Sequence, residues 1–152
     1  MPSLNFPEYD FKLKRMNGKV QIFDTQRNKY VALTPEEWVR QNVIRYLMEE
    51  KHFPAALLGV EQGLTVNGMK KRCDAVLFDR QGKALIIMEF KAPTVALSQA
   101  VFDQVAVYNY RLNVDYFLIS NGLTIFCCRC DVENARYEFL PELPDYEFFI
   151  TH

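Results

Sequence analysis

In the stretch DAVLFDRQGKALIIMEFKAP, residues 74–93, charged groups stand where a plain strand would carry none. Asp74 opens one apolar run, and Glu89 and Lys91 interrupt the end of the next, fourteen residues further on. If Gln81-Gly82 centres a turn between two antiparallel strands, Asp74 falls directly opposite Glu89. If Asn67-Gly68 centres the preceding turn, Asp74 faces Glu61 on its other side. Both counts require symmetric loops without a bulge. They place Glu61, Asp74 and Glu89 in one row across three strands, with Lys91 on the face of Glu89 because strand side chains alternate.

Carboxylates directly opposite one another lie about 5 Å apart at Cβ and repel. Desolvation at the end of apolar strands opposes their ionisation further. A hard divalent cation offsets both costs: Mg²⁺, with Mn²⁺ as substitute, takes one or two carboxylates and keeps several waters. One such water has a lowered pKa and can serve as nucleophile. A neighbouring lysine can hold it and stabilise charge developing on a phosphate. These are the parts of a phosphodiester hydrolase. A plainer reading stays open, in which Glu89 and Lys91 are an ordinary same-face pair and Asp74 is a surface residue near a turn.

The elements that must position these groups are marked by three Asn-Gly pairs, at 17–18, 67–68 and 121–122, each a hairpin signal between strand-like runs. The first joins FKLKR to KVQIF, and KYVAL extends these into an N-terminal β meander over about residues 1–33. The second joins LLGVEQGLTV to KKRCDAVLF, and the third joins DYFLIS to LTIFCCRC. Thr34-Pro35-Glu36-Glu37 predicts a helix start, with Thr34 as N-cap, Pro35 at the first helical position and Glu37 closing a capping box. Helical spacing of Val39, Val43, Tyr46 and Leu47 carries it to about Glu50. A second helix is expected from about Ala96 to Leu112, with Leu97, Val101, Val105, Tyr108 and Leu112 on one stripe. Pro141 and Pro144 loosen a tail from about residue 131, where YEFF can pack back on the body. The expectation is a single α/β domain spanning 1–152, with its core over about 34–130.

A net charge of −1 gives no global field to draw in nucleic acid, so an anionic partner needs a local patch. Lys70-Lys71-Arg72 is the obvious one, and it reads equally well as a solvated strand end. No run approaches the roughly 18 apolar residues of a membrane span. The opening Met1-Pro2-Ser3-Leu4 lacks the basic-then-apolar order of a signal peptide, so a cytoplasmic protein is expected. Cys73, Cys127, Cys128 and Cys130 read as reduced, buried small hydrophobes. Cys127 and Cys128 should point to opposite faces, and neither His52 nor His152 sits in a ligand pattern.

The order Asp74, fourteen residues, Glu89-Phe90-Lys91 resembles the D…ExK signature of the PD-(D/E)xK nuclease superfamily. Gln104 and Tyr108 resemble the Q-x-x-x-Y element of its RecB-like branch. PEEWVRQ, KRCDAVLFD, MEFKAP, QVAVYN and LISNG, in that order, are similar to the N-terminal nuclease domain of type I restriction enzyme R subunits over about residues 34–126. The resemblance implies a restriction-endonuclease-like α/β (α+β) fold, a mixed central sheet flanked by helices, with the β meander added. It implies Asp74 and Glu89 as Mg²⁺ ligands, Lys91 as the group positioning the attacking water, and Glu37 reaching the metal directly or through water. Glu37 is equally accounted for as a capping residue. Gln104 and Tyr108 would orient catalytic groups or contact the DNA backbone, although Tyr108 also lies on the core stripe. Arg40 could touch phosphate, Trp38 is packing, and Glu61 joins the metal site on hairpin register alone. Family members continue into an ATP-driven motor, and no G-x-x-x-x-G-K-[ST] loop occurs here, so this chain has no ATP site of its own. Partners implied are DNA, motor or specificity subunits, or a second copy. The rival expectation is a catalytically silent nucleic-acid-binding or assembly module, and a purely structural domain would bind no metal at all.

Overall fold

Asn17 and Gly18 both adopt positive φ, 52° and 76°, the backbone a two-residue hairpin turn demands. The turn pairs Met16 with Lys19 and joins β1 (Leu13–Met16) to β2 (Lys19–Asp24). With β3 (Lys29–Ala32) these strands form a separate antiparallel sheet, the expected meander. The computed structural model describes Met1 and residues 3–151; His152, for which no ligand pattern was found, and Pro2 lie outside the described residues. Helix α1 (Pro35–Glu50) starts as predicted, with Thr34 Oγ1 accepting from the Glu37 N–H at 3.0 Å.

The second sheet has six strands in chain order: β4 (Leu58–Val66), β5 (Met69–Phe78), β6 (Ala84–Phe90), β7 (Tyr116–Ser120), β8 (Ile125–Asp131) and β9 (Arg136–Phe139). All neighbours are antiparallel except β6 and β7, which run parallel because α2 (Gln99–Leu112) crosses between them. The sheet lies between the two long helices. On one face Val39, Val43 and Leu47 of α1 pack with Ala75, Leu77, Ile86, Met88 and Leu118. Phe149 of the short helix α3 (Tyr146–Thr151) joins that cluster, so the YEFF segment does fold back. On the other face Phe102, Val105 and Ala106 of α2 pack against Phe117, Ile119 and Cys128, and Leu112 packs against Val76 and Ile87. Cys127 and Cys128 point to opposite faces as strand alternation requires, and all four cysteines are free and buried.

Three expectations need correction. Helix α2 begins at Gln99, not Ala96, with the extended Ser98 as its N-cap. The C-terminal segment is not all loose tail: Arg136–Phe139 is the edge strand β9, too short for its alternation to stand out as a strand. The third Asn-Gly pair sits in a longer loop between Ser120 and Ile125, where the Asn121 side chain accepts from Leu123 N at 3.0 Å and Thr124 N at 3.1 Å.

The β5–β6 loop also departs from symmetry, with a register shift between Leu77 and Phe78. The Asp79 carboxylate accepts from the Gln81 and Lys83 N–H groups, both at 2.9 Å, and shapes that turn. The turn is centred on Gln81, with Asp79 N–H donating to Lys83 O, and the shift offsets that displacement, so Ala75 pairs with Met88 and Asp74 falls opposite Glu89 although the loop is not symmetric. Between β4 and β5, Val60 pairs with Ala75 and Gln62 with Cys73, leaving Glu61 across from Asp74. Glu61 itself has φ 52°, uncommon for a non-glycine residue in a strand. Side chains change face across this point: Leu58 joins the α1 cluster, whereas Leu64 and Val66 join the α2 cluster. The same inversion occurs on β5, where Cys73 and Val76 share the α2 side while Ala75 and Leu77 take the α1 side. Simple alternation therefore fails at the row that carries the acids.

Candidate active site

Backbone pairing between β5 and β6 ends at Ala75 and Met88. Just beyond, Asp74 Oδ2 accepts from the Phe90 N–H at 2.8 Å, so a carboxylate stands where a ladder carbonyl would otherwise be. Glu89 lies against it. Burial, then the charge of Asp74 and a hydrogen bond with it, push the Glu89 carboxyl up to about 8, with Lys71 and Lys91 opposing. Lys71 Nζ is 3.9 Å from Glu89 Oε1 and 4.4 Å from the centre of the Tyr108 ring, so this lysine bridges strand and helix α2. Lys91 continues the line of β6, its N–H donating to Ser120 O at 2.9 Å. Phe90 points the other way, into the α1 core.

Beside this pair runs a chain of alternating charges. Arg27, in the β2–β3 turn, is paired with Asp24 through Nε and donates through Nη2 to Glu37 Oε1 at 2.7 Å. Glu37 also accepts from Arg40, through Nε at 3.1 Å and again through Nη2, and from Gln41 Nε2 at 3.0 Å. Arg40 Nη1 reaches Glu61 Oε1 at 2.5 Å and Asp74 O at 3.3 Å, and Arg72 Nε approaches Glu61 Oε2 at 3.5 Å. Burial is the largest single influence on Glu37 and disfavours its charge, yet the bonds from Arg40, Gln41 and Arg27 together outweigh it and hold the carboxyl below its usual range. The hydrogen bond from Arg40 does the same for Glu61. Burial disfavours the Arg40 charge, but Glu37 and Glu61 hold its pKa above the usual guanidinium value.

The expected residues thus divide. Asp74 and Glu89 come together, with Lys91 and Lys71 near them and Tyr108 under the Lys71 ammonium. Glu37, Arg40, Glu61 and Asp74 line one cavity with Thr34, Glu36 and Phe90. Glu37 does not reach back to close a capping box or stand free toward a metal; arginines and Gln41 occupy both its oxygens. Arg40, expected at phosphate, is only 8% exposed and spent on the ion chain. Glu61 is held by two arginines, and among the described residues no three Asp, Glu, His or Cys side chains converge as metal ligands. The three-carboxylate set read from register therefore reduces to the pair Asp74 and Glu89. Arg72 and Lys70 are exposed on β5, and Gln104 is exposed on α2. Asp24, Arg27 and Gln41 escaped the reading of the sequence; the β2–β3 turn and α1 meet only through tertiary packing, so no spacing signals Arg27.

Residues 35–144 match the family described as type I restriction enzyme R protein N terminus (HSDR_N). No curated protein matches the chain. Among solved structures, the fold is similar to a protein from Anabaena variabilis ATCC 29413 described as a candidate nuclease belonging to DUF820. That likeness has a TM-score of 0.50 at 12% identity, covering 97% of this chain and 88% of the other. At that identity the likeness speaks for the fold, which is restriction-endonuclease-like. The match over 35–144 spans most of the chain, including both long helices and the Asp74–Glu89 pair, and this protein belongs to the family of type I restriction enzyme R protein N termini.

Proposed function

We propose that the chain is a metal-dependent DNA endonuclease domain that hydrolyses phosphodiester bonds. The observation that carries this reading is the meeting of Asp74 and Glu89 where β5 and β6 part, with lysines on the same side. A donor set of two carboxylates suits Mg²⁺, or Mn²⁺ in its place, because such an ion completes its coordination with waters and phosphate oxygens. When bound, the ion supplies an acidified water and neutralises charge on the scissile phosphate. Asp74 holds its place through the Phe90 N–H, leaving its other oxygen and Glu89 to bind the cation. Glu89, whose carboxyl is held above its usual range, would have to release its proton to hold the ion. Lys91 positions the attacking water and stabilises the charge that develops on phosphate oxygen, with no covalent enzyme intermediate. Lys71 passes from Glu89 to a phosphate, and Lys70, Arg72, Gln104 and Tyr108 meet the DNA backbone around it. Arg40 and Glu37 act from behind as positioning residues, Arg40 through its bond to the Asp74 carbonyl. The family suggests motor or specificity subunits as further partners, with a second copy as the alternative.

Nicking of supercoiled plasmid in Mg²⁺ and in Mn²⁺, wild type beside Lys91→Ala, tests the reading. Metal-dependent nicking by the wild type, lost in the variant, is the expected result. One observation favours the rival reading of a silent binding or assembly module: Glu37 is fully engaged by arginines, so the family's first-helix acid is not free. That reading expects DNA binding with no nicking in either metal.

A further inference from the structure

The outer face of the N-terminal sheet has no role in the site just described. Its inner face is settled by burial: Ile22 is fully buried and Asp24 is 2% exposed, so Val20, Ile22 and Asp24 point inward. Alternation then turns Lys19, Gln21 and Phe23 outward. Register adds Lys14 and Ala32 beside Gln21, Tyr30 beside Phe23 and Met16 beside Lys19. Lys12 lies next to Phe23, whose N–H donates to the Lys12 carbonyl at 2.9 Å.

Lys12, Lys14 and Lys19 are exposed, and among the described residues no carboxylate lies within ion-pair distance of any of them. From Phe11 to Phe23 the sequence has four basic residues and no acid, against a chain net charge of −1. Phe23 and Tyr30 meet edge to face, ring centres 5.1 Å apart, on the open side of the sheet. Two of the ammonium groups cap them, Lys14 at 4.1 Å from the Tyr30 ring and Lys12 at 5.8 Å from the Phe23 ring. Half-buried rings flanked by exposed lysines without carboxylate partners form the pattern that binds a nucleic-acid strand by stacking and backbone charge.

We propose that this face, Lys12, Lys14 and Lys19 with Phe23 and Tyr30, is a docking surface for a single-stranded segment of DNA. Duplex DNA hides its base faces, whereas an unpaired base can replace the lysine cap on Tyr30 and send that ammonium to a phosphate. Lys12, just before β1 and still bonded to Phe23, and Lys14 within it are two residues apart, about 7 Å along extended chain, a spacing suited to successive phosphates. The surface is tied to the candidate active site through the β2–β3 turn, where Arg27 bonds Glu37. The choice of DNA rests on the nuclease reading; the polyanion-binding character of the face does not.

The test is fluorescence anisotropy of labelled oligothymidylate and of a labelled duplex with the full chain in EDTA, where no cleavage occurs. Lys12→Gln, Lys14→Gln and Lys19→Gln combined should weaken oligothymidylate binding at least about tenfold and reduce the salt slope by about two. The matching triple Lys→Arg variant should bind like wild type. Tyr30→Leu should weaken the single strand about tenfold and the duplex much less. Thermal unfolding of each variant separates lost binding from lost folding. Absence of oligothymidylate binding by wild type, or unchanged affinity and slope in the triple Gln variant, overturns the proposal, as does equal loss of both DNA forms in Tyr30→Leu. Failure of the nuclease reading looks different: oligothymidylate binds through this face, and plasmid is not nicked in either metal.

Discussion

Glu89 is the residue on which the proposed chemistry turns. Burial acts first and Asp74 second, and both keep the proton on a group that would otherwise lose it in the ordinary carboxylate range. Lys71 and Lys91 temper this but do not reverse it. Replacing Asp74 by Asn should therefore lower the Glu89 titration without returning it to the ordinary range, because burial remains. Carbon NMR of labelled glutamate side chains against pH reads this directly. A Glu89 titration that stays in place in the variant would mean that burial alone sets it and that the two carboxylates do not act as a pair.

At the scale of elements, the ion chain Asp24–Arg27–Glu37–Arg40–Glu61–Arg72 joins the N-terminal sheet, α1, β4 and β5. It begins at the last residue of β2 and ends on the strand that carries Asp74. Removing one member of a buried charged set strands the others, so Arg40→Met should destabilise the fold by about 3 kcal/mol, read from urea unfolding near neutral pH. Glu37 and Glu61 have folded pKa values held below the ordinary 4.5. Their contribution is fully present above that value and is lost as pH falls through the lower folded values, where the unfolded chain binds more protons. Wild type should therefore lose stability steeply on acidification, and Arg40→Met, already without the pairing, should lose less. Parallel acid limbs for the two proteins would show that the chain contributes nothing through charge.

For the whole molecule, Glu89 acts in the opposite sense. Its folded pKa is raised, so between 4.5 and about 8 the folded state holds more protons than the unfolded one. The stability it contributes is present below that window and is lost as pH rises through it. A cation held by Asp74 and Glu89, as proposed, would remove the repulsion and stabilise the folded state by mass action. Saturating Mg²⁺ should raise Tm, and by more near pH 8 than near pH 6, because binding must displace a proton at the lower pH. A Tm unaffected by Mg²⁺ and Mn²⁺ at both values would remove the metal from the proposal. No helix among the described residues is long and apolar enough to cross a membrane, and the largest apolar surfaces are spent on the two helix–sheet contacts.

Local rules reached a long way here. Period-two alternation and the Asn-Gly turns at 17–18 and 67–68 placed the hairpins, and counting from Gln81-Gly82 aligned Asp74 with Glu89 although its premise of a symmetric loop failed, because the turn centred on Gln81 and the shift between Leu77 and Phe78 cancel. Thr34-Pro35 marked the start of α1, since capping is a contact within one turn of chain. Strand β9 was hidden because four alternating residues are too short a run to stand out, although Tyr137 and Phe139 do pack against Phe117 and Phe102. The site was legible as far as it depends on pairing within adjacent strands. The sequence by itself thus determined that Asp74 stands opposite Glu89, because register is set by neighbouring strands and the turn between them. Only the tertiary structure decided that Glu61 and Glu37 belong to arginines. Arg27 is brought to Glu37 by packing of the meander, and both β4, at the positive φ of Glu61, and β5 change face at this row, where alternation along one strand no longer says where a side chain points.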